Sequence, residues 1–159
     1  MNGLCFADVA DGAELSPFAI PLTIQRLVME AAANRDFAPI HHDRDISRAT
    51  GAPDPYANTM LLQAVFEATV RQWMGLSGRL RGLRFSMRSF ATVGAVLSGH
   101  GRVRARRPAD GGGFVDLEIW AESNGAPAAV GSATVWLPAT KEGVDEREGD
   151  GAEARAWRP

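Results

Sequence analysis

The chain has 159 residues, of which 45% are hydrophobic and 23% charged, and its formal net charge at pH 7 is −2. This length fits one domain with a sizeable core, and the charge gives no reason to expect nucleic acid or an acidic membrane surface as a partner. A single cysteine, Cys5, excludes an internal disulfide and a cysteine-based metal site. Without a signal-like start or an apolar run of about 18 residues, we expect a cytoplasmic protein with no membrane partner.

The first elements are a lead-in, a short extended piece and a helix. Residues 1–17 follow no period and form an N-terminal lead-in. Residues 18–20, between two prolines, predict an edge strand or an extended approach to the domain. Thr23 can cap a helix that runs to about Asn34. The apolar side of this helix carries Leu27, Val28, Ala31 and Ala32.

A carboxylate and an imidazole follow where this helical pattern stops. Asp36 and His41 lie five residues apart across Pro39, which removes a backbone donor and bends the chain. A bent segment can turn both side chains toward one small volume, and such an acid/base pair suits hydration of an activated double bond. From the spacing alone, the commoner explanation is that Asp36 caps backbone donors and His41 is simply a packed or exposed histidine.

The next helices are a short one and a long one. Asp43 or Asp45 suits the start of a short helix that ends at Gly51, before the rigid connector 52–56. The helix from about residue 58 to 74 is apolar over most of its circumference, with one narrow polar stripe of Gln63, Glu67 and Arg71. A helix of this kind must be buried on several sides. We therefore expect an α+β hot-dog domain, in which an antiparallel sheet curls around this helix.

Four strand-like runs complete the expected domain, which spans residues 18–138. Their inward positions alternate with polar ones and are Leu83, Phe85 and Met87, then Leu97, Val103 and Ala105, then Val115, Leu117, Ile119 and Ala121, and finally residues within 128–137. If the second and third runs form a hairpin, Arg102 faces Glu118 and Arg104 faces Asp116 or a near neighbour, so these arginines belong to a solvated face.

Three aromatic or imidazole side chains fall on the outer face of the predicted sheet, and the chain then changes in composition. We expect His100 to be exposed there, and Trp120 and Trp136 to mark a subunit contact. Residues 139–159 are rich in Gly, Glu and Ala without a period and predict a disordered tail.

The segment from Asp36 to Asp43 resembles the signature of the MaoC-like, R-specific enoyl-CoA hydratases, which reads Gly-Asp-x-Asn-Pro-aliphatic-His-x-Asp. Asp36, Pro39, Ile40, His41 and Asp43 match in order, whereas Arg35 replaces the glycine and Ala38 the asparagine. The longer string 35–45 is similar to the small MaoC-like subunits of heteromeric hydratases that act on CoA-linked steroid side chains. The resemblance covers roughly residues 20 to 138.

The resemblance implies a hydratase or dehydratase of enoyl-CoA thioesters in which Asp36 and His41 are the catalytic pair. It also implies that a backbone amide at the start of the long helix, that of Thr59 after Asn58, polarises the thioester carbonyl. Tyr56 and apolar residues of that helix would line the acyl pocket. We expect no cofactor and no metal, and a second MaoC-like subunit or a second copy as partner. A hot-dog thioesterase and a non-catalytic assembly subunit are the alternatives.

Overall fold

A computed structural model describes residues 3–140 of the chain. Five strands form one antiparallel sheet: β1 (Phe18–Pro21), β2 (Arg79–Met87), β3 (Val96–Ala109), β4 (Gly112–Ser123) and β5 (Ala126–Pro138). Three α-helices accompany it: α1 (Ile24–Ala33), α2 (Arg44–Ala49) and α3 (Thr59–Met74). Two 3-10 turns, Phe6–Asp8 and Pro39–His41, lie outside these elements. The expected helices and strands are therefore all present.

The sheet curls around α3 with the strand order β1-β3-β4-β5-β2, and every neighbouring pair is antiparallel. This is the hot-dog architecture that the sequence predicts. Large apolar side chains of α3 pack against the concave face of the sheet, and the following are almost fully buried: Leu62, Val65, Phe66, Val70, Met74, Leu97, Leu117, Ile119, Val135 and Leu137. Burial of this apolar area is the main force that holds helix and sheet together.

Gly99 lets α3 approach the sheet closely. A Cβ atom at this position of β3 would lie 2.4 Å from Thr69 Oγ1 and 2.9 Å from Val65 Cγ1, both on the facing side of α3. Such distances are far inside van der Waals contact. The absence of a side chain at Gly99 therefore sets the distance between helix and sheet.

The exposed surface of α3 is broader than the predicted stripe. Arg71 is exposed, but Gln63 and Glu67 are half-buried, whereas Met60 and Ala64 are exposed. The stripe prediction was wrong because the sheet and α1 together leave one side of the helix open. On α1, Leu27 and Ala31 are buried as expected, but Val28 and Ala32 are exposed, since only one narrow face of this helix meets the core.

The hairpin of β3 and β4 has the predicted partners with one shift. Arg102 lies opposite Glu118, and a bulge between Val103 and Ala105 places Ala105 opposite Asp116. Ala105 is therefore exposed, contrary to the inward position expected for it. Arg104 forms an ion pair with Glu118, with Nη2 and Oε2 2.6 Å apart. The solvated-face interpretation of these arginines holds.

The outer face of the sheet carries an aromatic stack that the alternation pattern did not predict. The His100 ring lies parallel to the Trp120 ring, with centroids 5.4 Å apart, and its Nε2 is 2.9 Å from Ser98 Oγ. His100 is therefore half-buried and not simply exposed. Trp120 and Trp136 do face outward, and each is also half-buried.

The N-terminal lead-in packs on the domain. Cys5, Val9 and Leu15 are buried, and Glu14 pairs with Arg102 of β3 through an isolated bridge and an ion pair. The predicted tail, residues 139–159, lies outside the described residues from position 141 onward.

Candidate active site

The segment between α1 and α2 bends where the sequence predicts. Arg35, directly after the last turn of α1, has φ 56°, in the left-handed region that favours glycine. The glycine in the signature of the resembling family therefore suits a conformation that Arg35 adopts here. Ala38 is extended before Pro39, and the 3-10 turn Pro39–His41 then carries His41 back toward Asp36.

Asp36 and His41 come into direct contact. Asp36 Oδ2 lies 3.2 Å from His41 Nε2. The His41 side chain is only 5% exposed, whereas that of Asp36 is 36% exposed. The carboxylate can therefore meet a ligand from solvent while the imidazole is held behind it.

The imidazole is oriented by the connector before α3. His41 Nδ1 lies 2.7 Å from the backbone oxygen of Tyr56, and because a carbonyl oxygen only accepts, Nδ1 must be the donor. When the ring carries a second proton, that proton is on Nε2 and points toward Asp36 Oδ2. The contact between Nε2 and Oδ2 is then favourable, and this one proton can pass between the two groups.

Asn58 joins the pair to the start of α3. Its Nδ2 donates to Asp36 Oδ2 at 2.9 Å, and its Oδ1 accepts from the backbone N–H of Leu61 at 2.9 Å. The first bond, assisted by the Ala38 amide at 3.4 Å and by His41, lowers the pKa of Asp36 below its ordinary value although burial opposes this. The sequence suggested Asn58 as a cap and substrate contact, and the structure adds its bond to Asp36.

Thr59 and Tyr56 lie at the same site. The amide of Thr59 is at the first position of α3, where helix amides have no intrahelical acceptor, and the Thr59 hydroxyl donates to Met87 Sδ at 3.5 Å. The Tyr56 ring packs edge-on against His41 and tilts against Phe90, with centroids 5.5 and 4.7 Å apart. All five residues selected from the sequence are thus neighbours in space.

Glu30 is a further carboxylate beside this site that sequence reasoning missed. Burial raises its pKa, against hydrogen bonds from Asn34 and Asn58 and the influence of His41. Glu30 lies on α1 in an ordinary helical context, so its position relative to Asn58 has no local sequence signal.

A groove of about 630 Å³ extends from Glu30 between α1, β1 and α3. Its apolar walls include Phe18 and Ile20 of β1 and Leu61 and Val65 of α3. The groove follows the exposed side of α3, so one flank is open to solvent.

Within residues 3–140, no three His, Cys, Asp or Glu side chains are grouped so that they could hold a metal ion. No helix of this described part is both long and apolar enough to cross a membrane.

Comparison with known sequences links the chain to one curated hydratase subunit. No family model matches it. Over 75 residues it is 33% identical to the beta subunit of the 3-oxo-4,17-pregnadiene-20-carboxyl-CoA hydratase of Mycobacterium tuberculosis. The match covers 46% of this chain and 58% of that subunit.

Solved structures with the same fold include a chain of a two-component complex and two R-hydratases. A chain of the ChsH1-ChsH2 complex from Mycobacterium tuberculosis matches with TM-score 0.73 and 21% identity over 81% of this chain and 98% of that chain. An (R)-hydratase from A. caviae involved in PHA biosynthesis matches with TM-score 0.74 and 24% identity, covering 82% and 98%. An R-hydratase from Pseudomonas aeruginosa matches with TM-score 0.77 and 18% identity, covering 87% and 88%. The comparisons confirm the resemblance to MaoC-like hydratases, and this chain has the hot-dog fold of that group.

Proposed function

We propose that this chain is an enoyl-CoA hydratase that adds water across the 2,3 double bond of an enoyl-CoA thioester, or removes it in reverse. The observation that carries the proposal is the contact of Asp36 Oδ2 with His41 Nε2 at 3.2 Å, next to the start of α3. One member of the pair is an ionised carboxylate open to solvent, and the other is a buried imidazole with a fixed Nδ1 donor. Such a pair can accept a proton and supply one at the same position.

The proposed reaction uses both groups in one cycle. Ionised Asp36 takes a proton from water while the water oxygen bonds to C3 of the substrate. The π electrons move to form an enolate-like thioester. His41 enters this step as imidazolium, with Nδ1–H bonded to the Tyr56 oxygen, and its Nε2–H delivers the proton to C2 as the ring becomes neutral. The proton on Asp36 then returns to His41, which restores the starting state. Because both groups lie on one bent segment, the proton and the hydroxyl group should add to the same face.

The enolate-like charge requires a donor at the thioester oxygen. The Thr59 amide, free at the N-terminal end of α3, is the donor that we assign. The partial positive charge of a helix start strengthens this interaction. Asn58 supports it indirectly, since the same side chain caps α3 and holds Asp36.

We further propose that the acyl group lies along the groove between α1, β1 and α3, and that a second subunit closes its open flank. The similar beta subunit belongs to a hydratase of a pregnadiene carboxyl-CoA, which favours a bulky steroid side-chain thioester as substrate and a second MaoC-like subunit as partner. A second copy of this chain is the alternative partner. The reaction needs only the CoA thioester and water, and no cofactor.

The test is hydration of crotonyl-CoA, and of a bulky enoyl-CoA, by the assembled protein and by its Asp36→Asn and His41→Ala variants. Loss of one acid/base group should lower the rate by roughly two to four powers of ten. Circular dichroism should show an intact fold in both variants, because neither side chain belongs to the main apolar core.

Product analysis separates the alternatives. A thioesterase would release free CoA and would retain activity in the His41→Ala variant, since one carboxylate would suffice. A non-catalytic subunit would leave the assembled complex fully active when both residues are replaced. Near-wild-type hydration by His41→Ala would contradict the proposal.

A further inference from the structure

Glu30 brings a second carboxylate to the neighbourhood of the Asp36–His41 pair, and the proposed reaction does not use it. It is half-buried on α1 and lines the groove between α1, β1 and α3. Its carboxylate accepts a hydrogen bond from Asn34 Nδ2, which also donates to the Glu30 backbone oxygen at 3.1 Å. Because Asn34 caps the C-terminal end of α1, these bonds fix the Glu30 side chain at that end of the helix.

Asn58 connects the two carboxylates. Its Oδ1 accepts from the Leu61 N–H, so Nδ2 is the atom that donates. Nδ2 has two hydrogens. It donates to Asp36 Oδ2 at 2.9 Å, and the same side chain stabilises the charged form of Glu30 as a hydrogen-bond donor. Rotation of this amide would weaken its interactions with both carboxylates, so Glu30 helps to hold the donor that Asp36 uses.

Glu30 also acts on His41 through its charge. Its electrostatic interaction with His41 is stronger than its interaction with Asp36. Arg26, one turn earlier on α1, also lines the groove, and its Nη1 donates to the backbone oxygen of Pro21 at 2.6 Å. The groove residues from β1 and α3 are uncharged: Phe18, Ile20, Leu61, Ala64, Val65 and Ala68. Two carboxylates, those of Asp36 and Glu30, therefore act on one buried imidazole.

The proposed reaction requires His41 as imidazolium. Its Nδ1–H is bonded to the Tyr56 oxygen, so only a doubly protonated ring has an Nε2–H to deliver. Burial disfavours the positive ring, and a nearby negative charge offsets that cost. Asp36 loses its charge when it takes the proton from water, whereas the charge of Glu30 does not change in this step. Glu30 therefore favours return of the proton to His41 Nε2.

We infer that Glu30 is a positioning residue for the Asp36–His41 pair, whose carboxylate holds the Asn58 amide and keeps His41 in the imidazolium form that delivers the proton. The inference rests on the proposed function and adds a third ionisable group to its site. Burial raises the pKa of Glu30, and the donors of Asn34 and Asn58 favour its charged form against that effect.

A pH titration of His41 by NMR tests the inference without turnover. The full chain, which has three histidines, is labelled with ¹³C-histidine, and a His41→Ala variant identifies the signals of this ring. Glu30→Gln keeps the shape of the side chain and an oxygen that can accept from Asn58. In this variant His41 should lose its second proton at a pH lower by about 0.5–1 unit, because one carboxylate is removed.

Glu30→Asp is the conservative variant, since it keeps the charge. Its His41 should titrate closer to the native pH than that of Glu30→Gln. Circular dichroism should show an intact fold in both variants. An unchanged titration of His41 in Glu30→Gln would overturn the inference.

Glu122→Gln is the matched control on the outer face of the sheet. Glu122 is also a half-buried carboxylate near an imidazole, with Oε2 3.8 Å from His100 Nε2, and the variant changes the net charge by the same amount. It should leave the titration of His41 unchanged. Equal movement of the His41 titration in Glu30→Gln and Glu122→Gln would show an effect of overall charge, and the inference would be wrong.

The pH profile of hydration gives a second readout. In Glu30→Gln the alkaline limb of kcat/KM should move to lower pH by the same amount, with KM at the optimum unchanged. A raised KM with unmoved limbs would mean that Glu30 binds the acyl group in the groove, and would overturn the inference. Since the NMR titration needs no substrate, a lack of hydratase activity would contradict the proposed function alone. An unmoved His41 titration in an active hydratase would contradict the inference alone.

Discussion

At the scale of single residues, the amide of Asn58 performs two tasks with its two polar atoms. Oδ1 caps α3, and Nδ2 holds Asp36. The motif around Asp36 has Ala38 where the resembling family has an asparagine, and in this chain the side-chain amide of Asn58, on another element, donates to the carboxylate. The lowered pKa of Asp36 follows first from this bond.

The first residue-scale prediction concerns Asn58→Asp, which keeps an oxygen to cap α3 but replaces the donor by a carboxylate. The pKa of Asp36 should rise, because a hydrogen bond is lost and a like charge is added. Since ionised Asp36 is the proposed base, the acid limb of the pH profile of kcat/KM should move to higher pH. An unchanged acid limb would contradict the role of Asn58.

The bond between Asn58 and Asp36 also has two consequences for stability. Asn58→Ala removes both this bond and the cap of α3, and loss of the cap should lower the free energy of unfolding by about 1 kcal/mol. In the native chain the lowered pKa of Asp36 means that its ionised form stabilises the fold above the ordinary pKa of aspartate. This contribution is lost as the pH falls through the lowered value. Urea unfolding at several pH values should show a smaller acid loss in Asn58→Ala.

The second residue-scale prediction is that Arg35→Gly stabilises the fold. Arg35 has φ 56°, and no hydrogen bond or ion pair of its side chain would be lost. Removal of the left-handed strain should raise the free energy of unfolding by about 0.5–1 kcal/mol. Asn124→Gly is the contrast, because Asn124 also has a positive φ but accepts a hydrogen bond from Val96 N at 2.8 Å. A destabilised Arg35→Gly variant would contradict the strain argument.

Contacts within the site differ in how far apart the contacting residues are in the sequence. Asp36 and His41 were predictable from a short motif, because a proline bend brings close neighbours in sequence together. The bond between Asn58 and Asp36 spans 22 positions and joins the end of α1 to the start of α3. No pattern in the sequence predicts that Asn58 and Asp36 come within hydrogen-bond distance, and none predicts that Glu30 lies beside Asn58.

At the scale of elements, α3 and the concave face of the sheet determine the fold. Gly99 of β3 is the point of closest approach, facing Val65 and Thr69. Packing at Gly99 therefore sets how closely helix and sheet approach each other in the core.

We predict that Gly99→Ala lowers the free energy of unfolding by about 1–3 kcal/mol, because the added methyl group overpacks the contact with α3. Gly82→Ala on β2 is the control, since an added Cβ there meets nothing within 4 Å. Urea unfolding of both variants measures the difference. Equal stability of the two would show that the helix can move away from the sheet without loss.

The elements themselves were largely predictable, and their irregularities were not. Alternation gave the correct inward positions at Leu97 and Val103 of β3 and throughout β4, and Leu83 and Phe85 of β2 are half-buried. Met87, at the end of β2, is exposed and not inward as the alternation predicted. The bulge beyond Val103 reverses the later positions, so Ala105 is exposed. A period of two contains no information about where a strand gains an extra residue. Likewise, the apolar circumference of α3 indicated burial but not how far the sheet closes around it.

At the scale of the whole molecule, two open features lie along α3. Its exposed side carries Met60 and Ala64, and the groove beside it has an open flank. One hot-dog layer leaves these surfaces in contact with water. We propose that a partner chain covers them, which the sequence match to a beta subunit supports.

The assembly prediction is that Ala64→Arg weakens binding of the partner by at least about tenfold, since an unpaired buried charge costs more than about 1.4 kcal/mol. The isolated chain should keep its stability, because Ala64 is already exposed within it. Gln72→Arg, two turns further along α3 and also exposed, is the control and should assemble normally. Mass measurement of the intact complex at several concentrations gives the affinity.

Hydration of a bulky enoyl-CoA should fall as the assembled fraction falls, because the groove of an unassembled chain lacks the wall that the partner supplies. A stable monomer with full activity on that substrate would contradict the assembly prediction, whether the partner is a second subunit or a second copy.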